Sequence, residues 1–128
     1  DSFLIIFIVC RTEGHLTNEI KKKIALFCNV PQECVISALD VKSIYSAPVK
    51  YHLEGLDKQI LKLFNLPYKS EPDLSKWETL TRKDLSLQDE VSIAVVGKYT
   101  GFSDAYKSLI EALHHGGIAN NVKEIGRA

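Results

Sequence analysis

The sequence contains no methionine and few cysteines, and each shortage narrows the class of protein. Because Met is absent from all 128 residues, we expect the chain to be a segment of a longer protein. Its three cysteines, Cys10, Cys28 and Cys34, form no CxxC or Cys/His spacing typical of metal sites. We therefore expect neither structural disulfides nor a zinc site, and a reducing cytoplasm fits this cysteine usage best.

Excess charge and long apolar runs are missing as well. Lys plus Arg and Asp plus Glu both total 16, so the formal net charge is zero. This balance argues against a protein that coats nucleic acid, and we expect no nucleic-acid partner. The longest apolar run, residues 3–9, is far shorter than the roughly 20 residues that a membrane-spanning helix needs. We expect no membrane association and interpret the run as a buried strand.

The first half of the chain has the pattern of a β-α-β unit. Residues 3–9 and 34–37 are apolar and rich in β-branched side chains, and residues 17–27 between them have helical periodicity. Parallel strands need such a crossover helix, so the pattern predicts an α/β fold with a parallel sheet. Two more helical patterns follow, at 45–55 and 56–64.

A second β-α-β pattern starts after a break in periodicity at residues 67–72, which carries two prolines. The apolar spacing then predicts a helix over 73–85, a strand over 90–96 and a helix over 104–115. We expect Gly116-Gly117 to end that helix and residues 122–125 to begin another strand.

Two positions suggest a ligand site on physical grounds. Arg11 follows the first predicted strand, and Asp40 follows the second. Ligands of open α/β sheets gather at the carboxyl ends of strands, where a guanidinium can stack on a base or bind a phosphate. From these residues alone, a nucleotide site and an ordinary polar sheet edge are equally acceptable interpretations.

Other polar clusters favour simpler interpretations. Lys21-Lys22-Lys23 is best explained as a solvated helix face, with an anion site as the alternative. Gly97-Lys98 follows a strand but lacks the upstream glycine and the following Ser/Thr of a phosphate-binding loop, so we interpret it as an ordinary turn. His114 and His115 project about 100° apart on a helix and make poor ligands for one metal ion.

Several strings of residues, in order along nearly the whole chain, resemble the CTP synthase family. They are KIALFCNVP (23–31), VISALDV (35–41), SIY (43–45), GLD (55–57), DLSKWE (73–78), VVGKY (95–99), SDAYKS (103–108) and IEAL (110–113). Because their order and spacing also agree with the family, the resemblance is specific.

The resemblance implies three parts. Residues 1–66 would be the end of a Rossmann-like, P-loop-type amidoligase domain with a parallel sheet, and residues 67–89 a helical linker. Residues 90–128 would begin a flavodoxin-like class I glutaminase domain. The family's phosphate loop, its acidic Mg²⁺ ligands and its Cys-His-Glu triad would all lie outside this chain. The resemblance therefore implies no catalytic residue and no metal ligand here, and an isolated chain without activity.

The resemblance also implies a function and binding residues. The family aminates UTP to CTP with ATP as substrate and ammonia from glutamine, and CTP is its feedback inhibitor. Arg11, Leu39, Asp40 and Val41 match positions at the ATP adenine, and Lys23 matches a lysine that contacts UTP or CTP. A cytoplasmic homotetramer is the expected assembly. The alternative is a non-catalytic nucleotide-binding or assembly module of the same fold.

Overall fold

The computed structural model describes residues 6–98 and 103–127. Tertiary contacts divide the chain into two units, Asp1–Glu78 and Thr79–Ala128, and each contains a two-stranded parallel sheet. The elements in chain order are β1 (Ile8–Thr12), α1 (Asn18–Cys28), β2 (Val35–Leu39), α2 (Ala47–Leu53), α3 (Leu56–Leu63), α4 (Ser75–Ser86), β3 (Glu90–Ala94), α5 (Lys107–Ala119) and β4 (Lys123–Arg127). The predicted α/β class with parallel strands is confirmed.

In the first unit, β1 and β2 are parallel neighbours and α1 is the crossover helix between them. The Thr17 side chain accepts a hydrogen bond from the Ile20 backbone N–H at 3.3 Å and caps the start of α1. At the other end, Asn29 adopts a left-handed conformation with φ 53°. Both ends therefore follow local capping chemistry, and the predicted helix differs from α1 by only one residue at each end.

The first predicted strand is displaced. Of the predicted residues 3–9, residues 3–5 lie outside the described part of the chain, and β1 itself runs from Ile8 to Thr12. Arg11 therefore lies within β1 and not beyond its carboxyl end, so that expectation is wrong. The reason is the pairing with β2, which aligns Arg11 with Ala38 and Thr12 with Leu39. Pairing between strands extends the ladder past the apolar run that marked the strand in the sequence.

The core of the first unit lies where α1 meets the start of β2. Ala25, Val30, Cys34 and Val35 form its buried cluster, and Ile36 is completely buried. Burial raises the pKa of the Cys34 thiol, and the Glu33 charge adds to this effect. A raised pKa keeps the thiol protonated, so Cys34 acts as a small apolar core residue.

Polar and charged side chains of α2 and α3 contact the segment that follows α3. His52 lies between two carboxylates, with its Nδ1 2.7 Å from Asp57 and its Nε2 2.9 Å from Glu71. Lys58 Nζ lies 2.8 Å from the other oxygen of Glu71. Contacts of the first unit thus reach at least to Glu71.

The second unit repeats the parallel arrangement, with β3 beside β4 and α5 between them in sequence. The prediction that Gly116-Gly117 ends the helix is wrong, because α5 continues to Ala119. A Cβ at Gly117 would lie 2.7 Å from the Val122 carbonyl oxygen. Gly117 is therefore needed for the close approach of α5 to the residue before β4.

His114 lies inside α5, where its Nε2 is 3.0 Å from an Asp84 oxygen of α4. The predicted end of this helix at residue 115 is therefore wrong as well, since α5 continues to Ala119. Among the residues described, no helix combines the length and the apolar character that a membrane span requires.

Candidate functional site

A cleft of about 330 Å³ opens beside the carboxyl end of β2, and we call it the strand-end cleft. This volume is within the usual range of small-molecule sites, about 300–1,000 Å³. Its lining residues come from β1, from β2 and the residues after it, and from the segment through α2: Arg11, Ala38, Leu39, Asp40, Val41, Ile44, Ala47 and Tyr51. The structure thus brings Arg11, Leu39, Asp40 and Val41, chosen from separate parts of the sequence, into one cavity.

An ion pair joins the two strands at the strand-end cleft. Arg11 Nε donates to Asp40 Oδ1 at 3.0 Å. The geometry follows from the sheet, because the Asp40 backbone N–H donates to the Thr12 carbonyl at 3.0 Å and extends the ladder by one bond. The Arg11 side chain remains 86% exposed, so the pair leaves most of its planar guanidinium open. Such an exposed pair stabilises the fold by less than about 1 kcal/mol, which suits a role in orienting Arg11.

The wall that α2 contributes was missed by the sequence analysis. Ile44 from the turn before α2, and Ala47 and Tyr51 from α2 itself, follow i, i+3, i+7 spacing and line the strand-end cleft. Ile44 is 67% exposed, so its apolar side chain is open to a ligand or to solvent. The signal was available, since this spacing places all three on one helix face immediately after Asp40.

The lysine run of α1 does not act as one surface. Lys21 is only 19% exposed, and its Nζ lies 2.7 Å from Glu54 Oε2. The interpretation of the run as a solvated face is therefore wrong for Lys21. Lys22 and Lys23 are exposed, and Lys23 does not line the strand-end cleft.

Glu54, just after α2, joins three segments of the first unit. One of its oxygens accepts from Lys21 Nζ and from the Ser37 backbone N–H at 2.9 Å, and the other lies 3.6 Å from His15 Nδ1. Burial by itself would raise the pKa of Glu54, but the hydrogen bonds from Lys21 and Ser37 outweigh it and lower the pKa to about 2. The carboxylate thus stays ionised and holds α2 against α1 and β2. Nothing in the sequence marked this residue.

The Gly97-Lys98 turn follows β3 and is held by a residue ahead of α5. The Tyr106 hydroxyl donates to the Lys98 carbonyl at 2.6 Å. Residues 99–102 lie outside the described part of the chain. A carbonyl engaged in this way fits the interpretation as an ordinary turn.

The strand-end cleft combines charged, aromatic and apolar groups. Its lining offers a guanidinium, a carboxylate, an aromatic ring, apolar side chains and the backbone after β2, without a Cys or His. Among the described residues, no group of three or more His, Cys, Asp or Glu is arranged to hold a metal ion. A planar ligand with hydrogen-bonding edges fits these groups best.

Comparison with known proteins points to one family. The family model described as CTP synthase N-terminus matches residues 4–66. CTP synthases from Rhodospirillum centenum, Azospirillum brasilense and Gluconobacter oxydans are 54%, 56% and 52% identical to the chain over 116 residues. Each alignment covers 91% of this chain and 21% of the relative, so the chain spans about a fifth of the length of these relatives.

Proposed function

Since the chain belongs to the CTP synthase family, we propose that it is part of an enzyme that aminates UTP to CTP with ATP and glutamine-derived ammonia. The proposed task of the first unit is to bind nucleotides. The observation that supports it is the strand-end cleft, where Arg11, Leu39, Asp40 and Val41 meet. These are the residues for which the sequence resemblance implied a place at the adenine of ATP.

Arg11 and Asp40 have different roles in this proposal. The Arg11 guanidinium lies against the adenine, since planar guanidinium groups stack on aromatic rings. Asp40 acts on Arg11, because its carboxylate holds Nε at 3.0 Å and fixes the plane of the guanidinium. Orientation before binding lowers the entropy lost when the nucleotide binds.

The backbone after β2 supplies recognition of the base edge. Leu39 is the last residue of β2, and Val41 lies just beyond it in the lining of the strand-end cleft. Backbone N–H and C=O groups can read the hydrogen-bonding edge of a base without any particular side chain. In this proposal a change of side chain at Leu39 has little effect on ATP binding.

Lys23 contributes to a separate pyrimidine site in our proposal, where its ammonium binds the substrate UTP or the inhibitor CTP. Its exposure on α1, away from the strand-end cleft, supports two distinct nucleotide sites. A point charge on a flexible stem suits a phosphate group.

The proposal also covers the second unit, the assembly and the Mg²⁺ ligands. The parallel β3-α5-β4 unit supports residues 90–128 as the start of a glutaminase domain. We also propose a cytoplasmic homotetramer. As the resemblance implies, we place the Mg²⁺ ligands in other parts of the enzyme.

Steady-state kinetics of the full-length protein test the proposal. We expect Arg11→Ala to raise the KM for ATP about tenfold, the usual effect of losing one charged contact of about 1.5 kcal/mol. The KM for UTP should not change. Lys42→Ala is the matched control, because Lys42 is exposed and does not line the strand-end cleft. An unaltered KM for ATP in Arg11→Ala would contradict the assignment, and absence of CTP formation by the wild type would contradict the function.

A further inference from the structure

One wall of the strand-end cleft makes none of the contacts proposed above for ATP. It is the face of α2 and the turn before it that presents Ile44, Ala47 and Tyr51. We propose that the Tyr51 ring stacks on the purine base and thereby favours ATP over nucleotides with smaller bases. This inference rests on the proposed ATP binding and adds a specificity residue to it.

The position of Tyr51 supports stacking. Tyr51 and Ala47 lie one turn apart on the same face of α2, and the small Ala47 side chain leaves room for a flat ligand beside the ring. Arg11 lines the same cavity from β1. A planar base in a cavity of about 330 Å³ can therefore contact a guanidinium and an aromatic ring that come from different elements.

The helix that carries Tyr51 is also held against the strands. Tyr51 precedes Glu54 by three residues, and the Glu54 carboxylate binds the Ser37 backbone of β2 at 2.9 Å. This contact fixes the end of α2 against the strand whose carboxyl end forms the strand-end cleft. A helix that is fixed before binding needs little reordering, so less entropy is lost when the ligand stacks on the ring.

The hydroxyl of Tyr51 does not explain its presence. Elsewhere in the described chain, the Tyr68 hydroxyl donates to Glu71 and the Tyr106 hydroxyl to the Lys98 carbonyl. Tyr51 shows no such bond within the described residues, and in our proposal its aromatic face is the part that contacts the base. Stacking tolerates any aromatic ring and depends on the area of the base.

Two substitutions distinguish the contribution of the aromatic ring of Tyr51 from those of its hydroxyl and of its volume. Tyr51→Phe keeps the ring, whereas Tyr51→Leu keeps an apolar side chain of considerable size without the ring. We expect Tyr51→Leu to raise the Kd of the full-length protein for ATP about tenfold, at the low end of measured base–aromatic stacking. Tyr51→Phe should stay within about twofold of the wild type.

Two controls distinguish stacking from a structural role. Leu53→Ala alters the same helix at a residue that is 72% exposed and does not line the cleft, and its Kd for ATP should be unchanged. In Tyr51→Leu, the circular dichroism spectrum and the thermal unfolding midpoint should match those of the wild type, which shows that the fold is intact.

Each result decides the proposal. Equal ATP binding by Tyr51→Leu and the wild type would overturn the stacking role and leave the proposed function standing. Equal weakening in the Phe and Leu variants would replace stacking by a hydroxyl contact and also overturn it. A wild-type protein that does not bind ATP would overturn the proposed function itself, and the stacking role with it.

Discussion

The contacts of the Glu54 carboxylate allow a specific prediction about the stability of the first unit. It binds Lys21 of α1 at 2.7 Å and the Ser37 amide of β2 at 2.9 Å, and it is itself only 16% exposed. Glu54→Gln keeps the shape of the side chain but removes the charge. We expect the variant to loosen α1 and β2 while the fold is retained.

The magnitude follows from the pKa of Glu54, which is lowered from 4.5 to about 2. That lowering corresponds to a few kcal/mol at most, because each pKa unit is worth about 1.36 kcal/mol. Solvent screening reduces this figure, so we expect Glu54→Gln to cost about 1–2 kcal/mol. Opening of β2 would then become roughly 5- to 30-fold more frequent.

The pH dependence has a defined sign. A group whose pKa is lower in the folded state than in the unfolded state stabilises the fold above its unfolded pKa. For Glu54 the contribution is complete above about pH 5, and it is lost as the pH falls from 4.5 towards 2. By pH 3, less than about half of the difference between wild type and variant should remain.

Hydrogen exchange of the full-length protein, read peptide by peptide, measures the effect where it arises. Amides of β2 and α1 should lose protection in Glu54→Gln at pH 7, when wild type and variant are compared at the same pH. Glu33→Gln is the matched control, because Glu33 is half exposed and lies 4.0 Å from Lys62. Equal protection in the two variants, or an effect that grows as the pH falls to 3, would refute the reasoning.

Two further predictions concern Lys23 and Gly117. In the full-length protein, Lys23→Ala should weaken both UTP saturation and CTP inhibition about tenfold and leave the KM for glutamine unchanged; equal, small effects in Lys22→Ala and Lys23→Ala would mean that Lys23 is merely solvated. Gly117→Ala should destabilise α5 by about 1–3 kcal/mol, because its Cβ would lie 2.7 Å from a backbone oxygen. Gly116→Ala, with nothing within 4 Å of the added Cβ, should stabilise α5 by about 0.5–1 kcal/mol. Hydrogen exchange of the α5 amides measures the stability of both variants. A Gly117→Ala variant as stable as Gly116→Ala would contradict the packing argument.

Local chemistry made the main elements of the fold predictable. The capping side chain of Thr17 and the left-handed Asn29 bracket α1, and both are properties of a few adjacent residues. The parallel pairing of β1 with β2 also followed from sequence order, because two strands separated by one helix pair in this way. The two domain boundaries, at 66 and 89, remain predictions.

The residues that line the strand-end cleft were predictable for a different reason. Asp40 and Val41 come immediately after a strand, and the edge where parallel strands end is a general place for ligands. Arg11 was selected by the same rule although the strand boundary was misplaced. The structure joins Arg11 to Asp40 at 3.0 Å. The family resemblance, and not the edge rule, specified ATP for these residues and a pyrimidine nucleotide for Lys23.

What the sequence by itself determined is therefore the set of elements, their order and the residues at the strand ends, because these depend on periodicity and on neighbours along the chain. Only the tertiary structure decided where β1 ends, that Lys21 is paired while Lys23 is exposed, and that α5 passes through Gly117. Each of these depends on a contact between residues distant in sequence: the ladder with β2, the carboxylate of Glu54, and the packing of α5 against the segment that leads into β4. The sequence does not reveal such contacts, because burial, strand pairing and steric fit arise only when distant residues come together in the folded chain.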